Sequence, residues 1–405
     1  MNSYFPGPPD HVPAELIRDF DIFALPPGIE DPLVKWGELL APDMPKIIYT
    51  KRNGGHWIFL DYEDIREGYR NDDGFSTYQT PIPPIDPHPV MQPQGVDPPE
   101  HKKFRSLLAP LFTPMAVKRM ESELRRRSSG LVQEIADRGS CDFVRDFSAI
   151  LPTGMFLYLM GMSEERLPEF HALSDVFMRS NDEAVRAANI QQIYAVIEDY
   201  LDWRAQHPGD DMGSLLLNAR DENGEPFPRM DVLNCAFLLF VAGLDTVTST
   251  MTYIWRYLAI TPEARHKIAG MLDDREKLIA ASEELLRINA VSNIYRRVKH
   301  DTTFHGIRMK RNDRVVLPNN VANRDGSVFS NPTTIDLERE VNTHLTFGAG
   351  PHRCIGSHLA KAEVMIALQE WLRRIPDFSL EPGVKIEAYL GPVMGMRNLP
   401  LVWKS

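Results

Sequence analysis

The sequence predicts a mainly α fold with a small β-rich part, and three observations carry that prediction. From His101 to about Leu286 apolar residues recur at spacings of three and four, as at Leu107, Leu108, Leu111 and Phe112, which is the spacing of one helix face. Residues 303–317 (TFHGIRMKRNDRVVL) change to strand alternation, with a turn at Asn312-Asp313. From residue 377 the text reads as turns and short strands, after a helical stretch that ends near Ile375.

Taken in order, residues 46–50 and 56–60 are short apolar runs joined at Asn53-Gly54-Gly55, a hairpin signal. Residues 80–99 (TPIPPIDPHPVMQPQGVDPP) hold eight prolines and can be neither helix nor central strand. A loop of that length usually has a task, such as covering a site. The helical text that follows is expected to break at Pro152, at Pro208-Gly209 and around Gly224. One domain over residues 1–405 is expected, with a β-rich subregion at about 40–75, 300–320 and 377–405. The helical body is expected at about 100–300 and 357–375.

Composition is that of a globular protein, with 43% hydrophobic and 25% charged residues. A formal charge of −11 speaks against nucleic acid or an anionic membrane as partner. Three cysteines, Cys141, Cys235 and Cys354, do not make a disulfide framework, so a cytoplasmic setting is expected. The first twenty residues hold no basic region followed by an apolar core, so no signal peptide or anchor is expected. The most apolar run, residues 235–244 (CAFLLFVAGL), is too short to span a bilayer and reads as buried helix. A monomer is expected.

The sharpest signal is Phe347-Gly348-Ala349-Gly350-Pro351-His352-Arg353-Cys354-Ile355-Gly356. Its glycines permit close approaches that side chains would block. The loop runs into a helical stretch, and a thiolate at a helix N-terminus is favoured by the dipole and free N–H groups. A lone cysteine before a helix is more often a small buried hydrophobe. The fixed Gly-x-Gly-x-His-x-Cys-x-Gly spacing reverses those odds. Zinc is disfavoured, since only His352 and His358 lie near Cys354.

This loop resembles the haem-binding segment of the cytochrome P450 family. The likeness runs from about His11 to Trp403 and is strongest to the bacterial camphor 5-monooxygenase group, through GLDTV, EELLR, TFG, EWLRRIPDFS and LPLVW. It implies the fold of that family, a triangular helical body with haem b between distal and proximal helices. It implies Cys354 as thiolate ligand to the iron, with Phe347, Gly348 and Gly356 framing the loop. Haem propionates would be held by His101, Arg105, Arg296 and His352. His101 and Arg105 are four apart on one helix face, and Arg can grip a carboxylate with two N–H groups.

Asp245 and Thr246 lie within an apolar helix that starts near Asp231, where a carboxylate is costly unless paired or working. Thr246 can donate its hydroxyl to a carbonyl one turn back, and Gly243 lets a flat ligand approach the backbone. The alternative for Asp245 is a buried ion pair in a kinked core helix. The resemblance makes this helix distal, with Thr246 hydrogen-bonding dioxygen and Asp245 relaying protons. Glu284 and Arg287 are three apart, a spacing that alone suits an exposed surface pair, and the resemblance implies instead a buried structural triad with Arg339.

The camphor enzymes carry a substrate-bonding tyrosine where this chain has Pro89, and a propionate-side aspartate where it has Ile294. Leu238, Val241, Ser292, Ile294, Pro392 and Val393 are expected in the pocket, and their small or apolar character suits a compact terpenoid or norisoprenoid. The resemblance implies hydroxylation with O2. The 405 residues show no flavin region and no cysteine set for an iron–sulfur cluster. Electrons are therefore expected from a 2Fe-2S ferredoxin and an NAD(P)H-dependent reductase, with Lys102, Lys103 and Arg353 as candidate docking residues and the Arg125-Arg126-Arg127 run either a further one or a plain solvated charge run. A peroxide-driven peroxygenase and a non-catalytic haem-thiolate sensor are the competing readings.

Overall fold

The computed structural model describes residues 9–26, 31–83, 90–180 and 182–404, three side chains at 178, 179 and 183 apart. Alternation builds its main sheet. The expected hairpin forms from Ile47–Thr50 and His56–Phe59, antiparallel, with Ile47 opposite Phe59. Its turn needs positive φ, and Asn53 (53°), Gly54 (91°) and Gly55 (80°) supply it. The second strand pairs in parallel with Arg314–Pro318, which pairs in turn with Asn293–Val298, and Phe75–Ser76 closes the edge. Odd and even positions separate cleanly. Tyr49, Trp57, Phe59, Val315 and Leu317 bury into one cluster, whereas Ile48, Ile58 and Val316 bury into another on the opposite face with Trp36.

Asn293–Val298 corrects one expectation, because it is a central strand inside the segment assigned to the helical body. Two consecutive arginines hide its alternation from composition. A second strand was also unforeseen. Ser140–Asp142 pairs with Pro400–Val402, which pairs on its other side with Ser379–Leu380.

The rest is helical. The helices that matter for the cavity are His101–Leu108, Pro114–Ala136, Ile150–Met160, Arg229–Ile260, Arg275–Ile288 and Ser357–Arg374. Pro152 does not break the chain as expected. It is the third residue of Ile150–Met160, where the missing N–H would have had no partner within the helix. Arg229–Ile260, hereafter the cavity helix, is apolar and long enough to cross a membrane. Yet 72% of its most apolar window is buried inside the fold, which makes it a core helix. Trp255 on this helix stacks on Phe143 at 4.7 Å and meets Trp371 of Ser357–Arg374 edge-on.

The proline loop is described on either side of residues 84–89, so Pro89 lies outside the described residues. Its second half is tied down. Gln92 Nε2 donates to Asp231 Oδ1 at 3.0 Å, at the start of the cavity helix. Asp97 accepts from Ser76 Oγ at 2.7 Å and from the Thr77 N–H at 2.8 Å.

Candidate active site

The cysteine loop is a wound turn held by its own backbone. The Cys354 N–H donates to the Phe347 carbonyl at 2.8 Å, and the Gly348 N–H donates to the Leu345 carbonyl at 2.8 Å. Gly348 and Gly350 take φ of 66° and 70°. A Cβ on Gly350 would also lie 2.8 Å from the Tyr69 carbonyl oxygen, so glycine is required twice over. Gly356 caps Ser357–Arg374 and faces open space. Burial raises the Cys354 thiol pKa, while the Gly356 N–H and the guanidinium groups of Arg105 and Arg353 oppose that rise.

Cys354 lies on the wall of a large cavity, the only one of the three cysteines to do so. Opposite stands the cavity helix. Its lining residues Leu238, Leu239, Ala242, Gly243, Thr246, Val247 and Thr250 recur at one, three and four, which is one face of a helix. A Cβ on Gly243 would meet nothing within 4 Å, so the backbone there is open to a flat group. Thr246 Oγ1 donates to the Ala242 carbonyl at 2.9 Å, as its position one turn on predicts.

Asp245 is buried and sits on the flank of that face. Tyr389 Oη donates to its Oδ1 at 3.0 Å and shares a 3.1 Å bond with Ser249. Asp245 lines a second, small cavity with Thr248, His171 and Asp175 instead of the large one. The acid and the alcohol, adjacent in sequence, therefore open onto different spaces.

The rim of the large cavity is cationic. His101, Arg105, Arg296 and His352 all line it, and the two imidazole rings are 4.1 Å apart. Burial, with the neighbouring His101 and Arg296, pushes His352 down to about 3. Burial and Arg105 lower His101 as well. Among the described residues, both ring nitrogens of His352 and Nε2 of His101 are buried without a protein partner. Such groups call for an anionic ligand. Arg296, not Arg297, faces the cavity. Strand alternation places Arg296 over the Tyr69 ring and sends Arg297 to Tyr78 on the other side.

Of the expected pocket residues, Leu238, Ser292 and Ile294 line the cavity and Val241, Pro392 and Val393 do not. Val241 falls on the far side of the cavity helix, about 150° from the lining face at ~100° per residue. Val393 is set back behind Ser292, to which its backbone is bridged. Thr77, Gln94, Met155, Phe156 and Met212 line the cavity and were not foreseen. Met155 and Phe156 belong to a helix apolar all round, so nothing in its pattern separates cavity from core. Glu363 is a further surprise. Burial pushes its carboxyl up to about 8 on the wall beside Leu359.

Glu284, Arg287 and Arg339 form the expected triad. Glu284 accepts from Arg287 through both oxygens, at 2.7 and 2.8 Å, and from Arg339 Nε at 3.0 Å. The Arg125-Arg126-Arg127 run, in contrast, is matched to Glu370, Glu123 and Glu164 and offers less free charge than its sequence implies.

An opening between a helix backbone and a thiol, lined by two arginines and by two imidazoles with unpartnered ring nitrogens, fits haem b: the thiol would hold its iron and the nitrogen groups its two carboxylates. The comparisons agree. The family described as Cytochrome P450 matches residues 155–401. A "Probable cytochrome P450 127A1" of Sinorhizobium fredii is 33% identical over 404 residues, covering 98% of this chain and 96% of that protein. The chain belongs to the cytochrome P450 family.

The P450 fold is shared with solved structures. CYP101C1 superposes with a TM-score of 0.89 at 31% identity, covering 98% of this chain and all of that one. CYP101J2 gives 0.88 at 28%, covering 99% and 100%. A mycinamicin IV hydroxylase/epoxidase of Micromonospora griseorubida is 29% identical over 91% of this P450 and 95% of its own length. This P450 is a monooxygenase whose cofactor is haem b, bound through a cysteine thiolate.

Proposed function

We propose that this P450 hydroxylates a compact terpenoid or norisoprenoid in the cytoplasm, with O2 and electrons delivered by a 2Fe-2S ferredoxin and its NAD(P)H-dependent reductase. The carrying observation is that Thr246 and Cys354 line the same cavity from opposite sides, between an apolar pocket and a cationic rim. Haem b, when bound, supplies the chemistry that puts one oxygen atom of O2 into a C–H bond and releases the other as water, consuming two electrons and two protons.

The chain's own residues divide the remaining work. The Gly356 N–H, Arg105 and Arg353 favour the anionic form of Cys354 against the effect of its burial, and the iron would complete its deprotonation. His101, Arg105, Arg296 and His352 would hold the propionates. Thr246 holds a proton on Oγ1 at the ceiling, and Asp245 brings protons up from the smaller cavity behind the helix. Leu238, Ile294 and Phe156 keep water away from the reacting carbon. Glu284, Arg287 and Arg339 brace the cysteine side.

A spectral screen tests the substrate class. Camphane-type and ionone-type compounds are added to ferric protein, and the low- to high-spin shift is followed. The best binder is then turned over with ferredoxin and reductase for product analysis. Hydroxylated product in proportion to NADH is expected. A panel in which no terpenoid shifts the spin state, while a larger lipid does, would overturn the substrate class.

A further inference from the structure

Asp245 leaves the cavity helix on its flank, and Ser249, one turn on, leaves it on the same side. Both are buried. A single side chain reaches them both. Tyr389 Oη lies 3.0 Å from Asp245 Oδ1 and 3.1 Å from Ser249 Oγ, and it belongs to the short strand Ala388–Tyr389 near the end of the chain. The antiparallel partner strand, Gly395–Met396, makes room for it. Tyr389 stands opposite Gly395, where a Cβ would overlap Tyr389 Oη and Cζ and crowd Ser249 Oγ. The Arg397 guanidinium lies 5.7 Å from the tyrosine ring centroid, within cation–π range.

Counting protons gives these bonds a direction. An ionised carboxylate only accepts, so Tyr389 directs its one O–H at Asp245, and its lone pair accepts the Ser249 O–H. The chain runs from Ser249 through Tyr389 to Asp245, and each bond polarises the next. A charge-assisted bond of this kind favours the carboxylate over the acid. It also ties one oxygen of Asp245 to the C-terminal strand pair, while the residue borders the small cavity with Thr248, His171 and Asp175. A proton relay needs both properties. It must give its proton up fully, and it must then face the space from which the next one comes.

We propose that Tyr389 is the positioning residue of the proton relay: its hydroxyl holds Asp245 as a carboxylate at the small cavity, ready for the next proton. This deepens the proposed reaction and rests on the relay role given there to Asp245. Tyr389 does not line the large cavity, so it acts on the reaction through Asp245 alone.

The ferric holoenzyme tests the assignment first without substrate. The protonated-carboxyl infrared band that Asp245→Asn abolishes reports the titration of Asp245. Tyr389→Phe removes one oxygen atom and keeps the ring. In that variant the band should persist to higher pH than in the wild type, because the carboxylate has lost a donor. Gly395→Ala keeps the tyrosine, displaces its hydroxyl and should do the same. His171, Asp175 and Arg397, the other titratable groups described beside Asp245 or Tyr389, are left in place by either change. Turnover is then followed with ferredoxin, reductase and camphor or β-ionone, whichever gives the larger spin shift. Product per NADH should fall about tenfold in Tyr389→Phe, with a larger solvent isotope effect on product formation. An Asp245 titration unchanged in Tyr389→Phe, or unaltered coupling and isotope effect, would overturn the inference and leave the relay role of Asp245 intact. Unaltered coupling in Asp245→Asn would overturn that role and the inference together.

Discussion

Cys354 and Thr246 are each testable by removing a few atoms. Cys354→Ala takes away the one cysteine on the cavity wall. The reduced, carbon-monoxide-treated protein is expected to lose the thiolate-type absorption band, and an unaltered spectrum would refute the assignment. Thr246→Ala removes a hydroxyl that bonds only its own helix. NADH consumption should continue while product per NADH falls about tenfold or more and peroxide rises. Unchanged coupling would remove Thr246 from proton handling. Both residues were readable in the sequence because glycine spacing and a helical acid–alcohol pair are local patterns. The separation of Asp245 from the large cavity was not readable. Nor was the partner of Asp245 on that side, Tyr389, which comes from 144 residues further along the chain.

At the scale of elements, the helix Arg275–Ile288 shows how a three-residue spacing becomes a buried charge network. Burial alone would raise the Glu284 carboxyl, but Arg287, the Asp336 N–H and Arg339 together hold it below its usual range. A lowered folded pKa contributes stability above the unfolded value of about 4.3, and that stability is lost as pH falls through the folded value. Glu284→Gln leaves Arg287 buried and uncompensated. About 3–5 kcal/mol of stability should be lost at neutral pH, measured by denaturant unfolding of the holoprotein.

Glu363 on Ser357–Arg374 has the opposite sign. Its folded pKa is raised to about 8, so stability falls as pH rises from the unfolded value toward 8. Glu363→Gln should flatten that slope in thermal melts between pH 5 and about 8, and an unchanged slope would contradict the burial of a neutral carboxyl. Alternation and helical spacing made most elements legible. Asn293–Val298 escaped because Arg296 and Arg297 mask a strand whose faces divide a cavity from a sheet edge. Pro152 misled because proline is silent in a first turn.

The whole molecule carries a net charge of −11, yet the acidic ferredoxin proposed as its electron donor would still have to find it. Arg353 is exposed beside Cys354, and Lys102 is exposed on the helix that bears His101. The rate of first-electron transfer should fall as salt rises from about 0.05 to 0.5 M, and Lys102→Glu should lower it further at low salt with little effect at high salt. A salt-independent rate would place the donor elsewhere. Global charge could not reveal such a patch, because composition averages over both faces.

One feature at this scale bears on how the protein is made. Pro400–Val402 is the middle strand between Ser140–Asp142 and Ser379–Leu380, and the Leu399 N–H reaches back 257 residues to Asp142. During synthesis, residues 140–142 leave the ribosome with their strand partner still untranslated. A chain halted just before Pro400 would retain every residue that lines the large cavity and still lack the middle strand that joins residues 140–142 to residues 379–380.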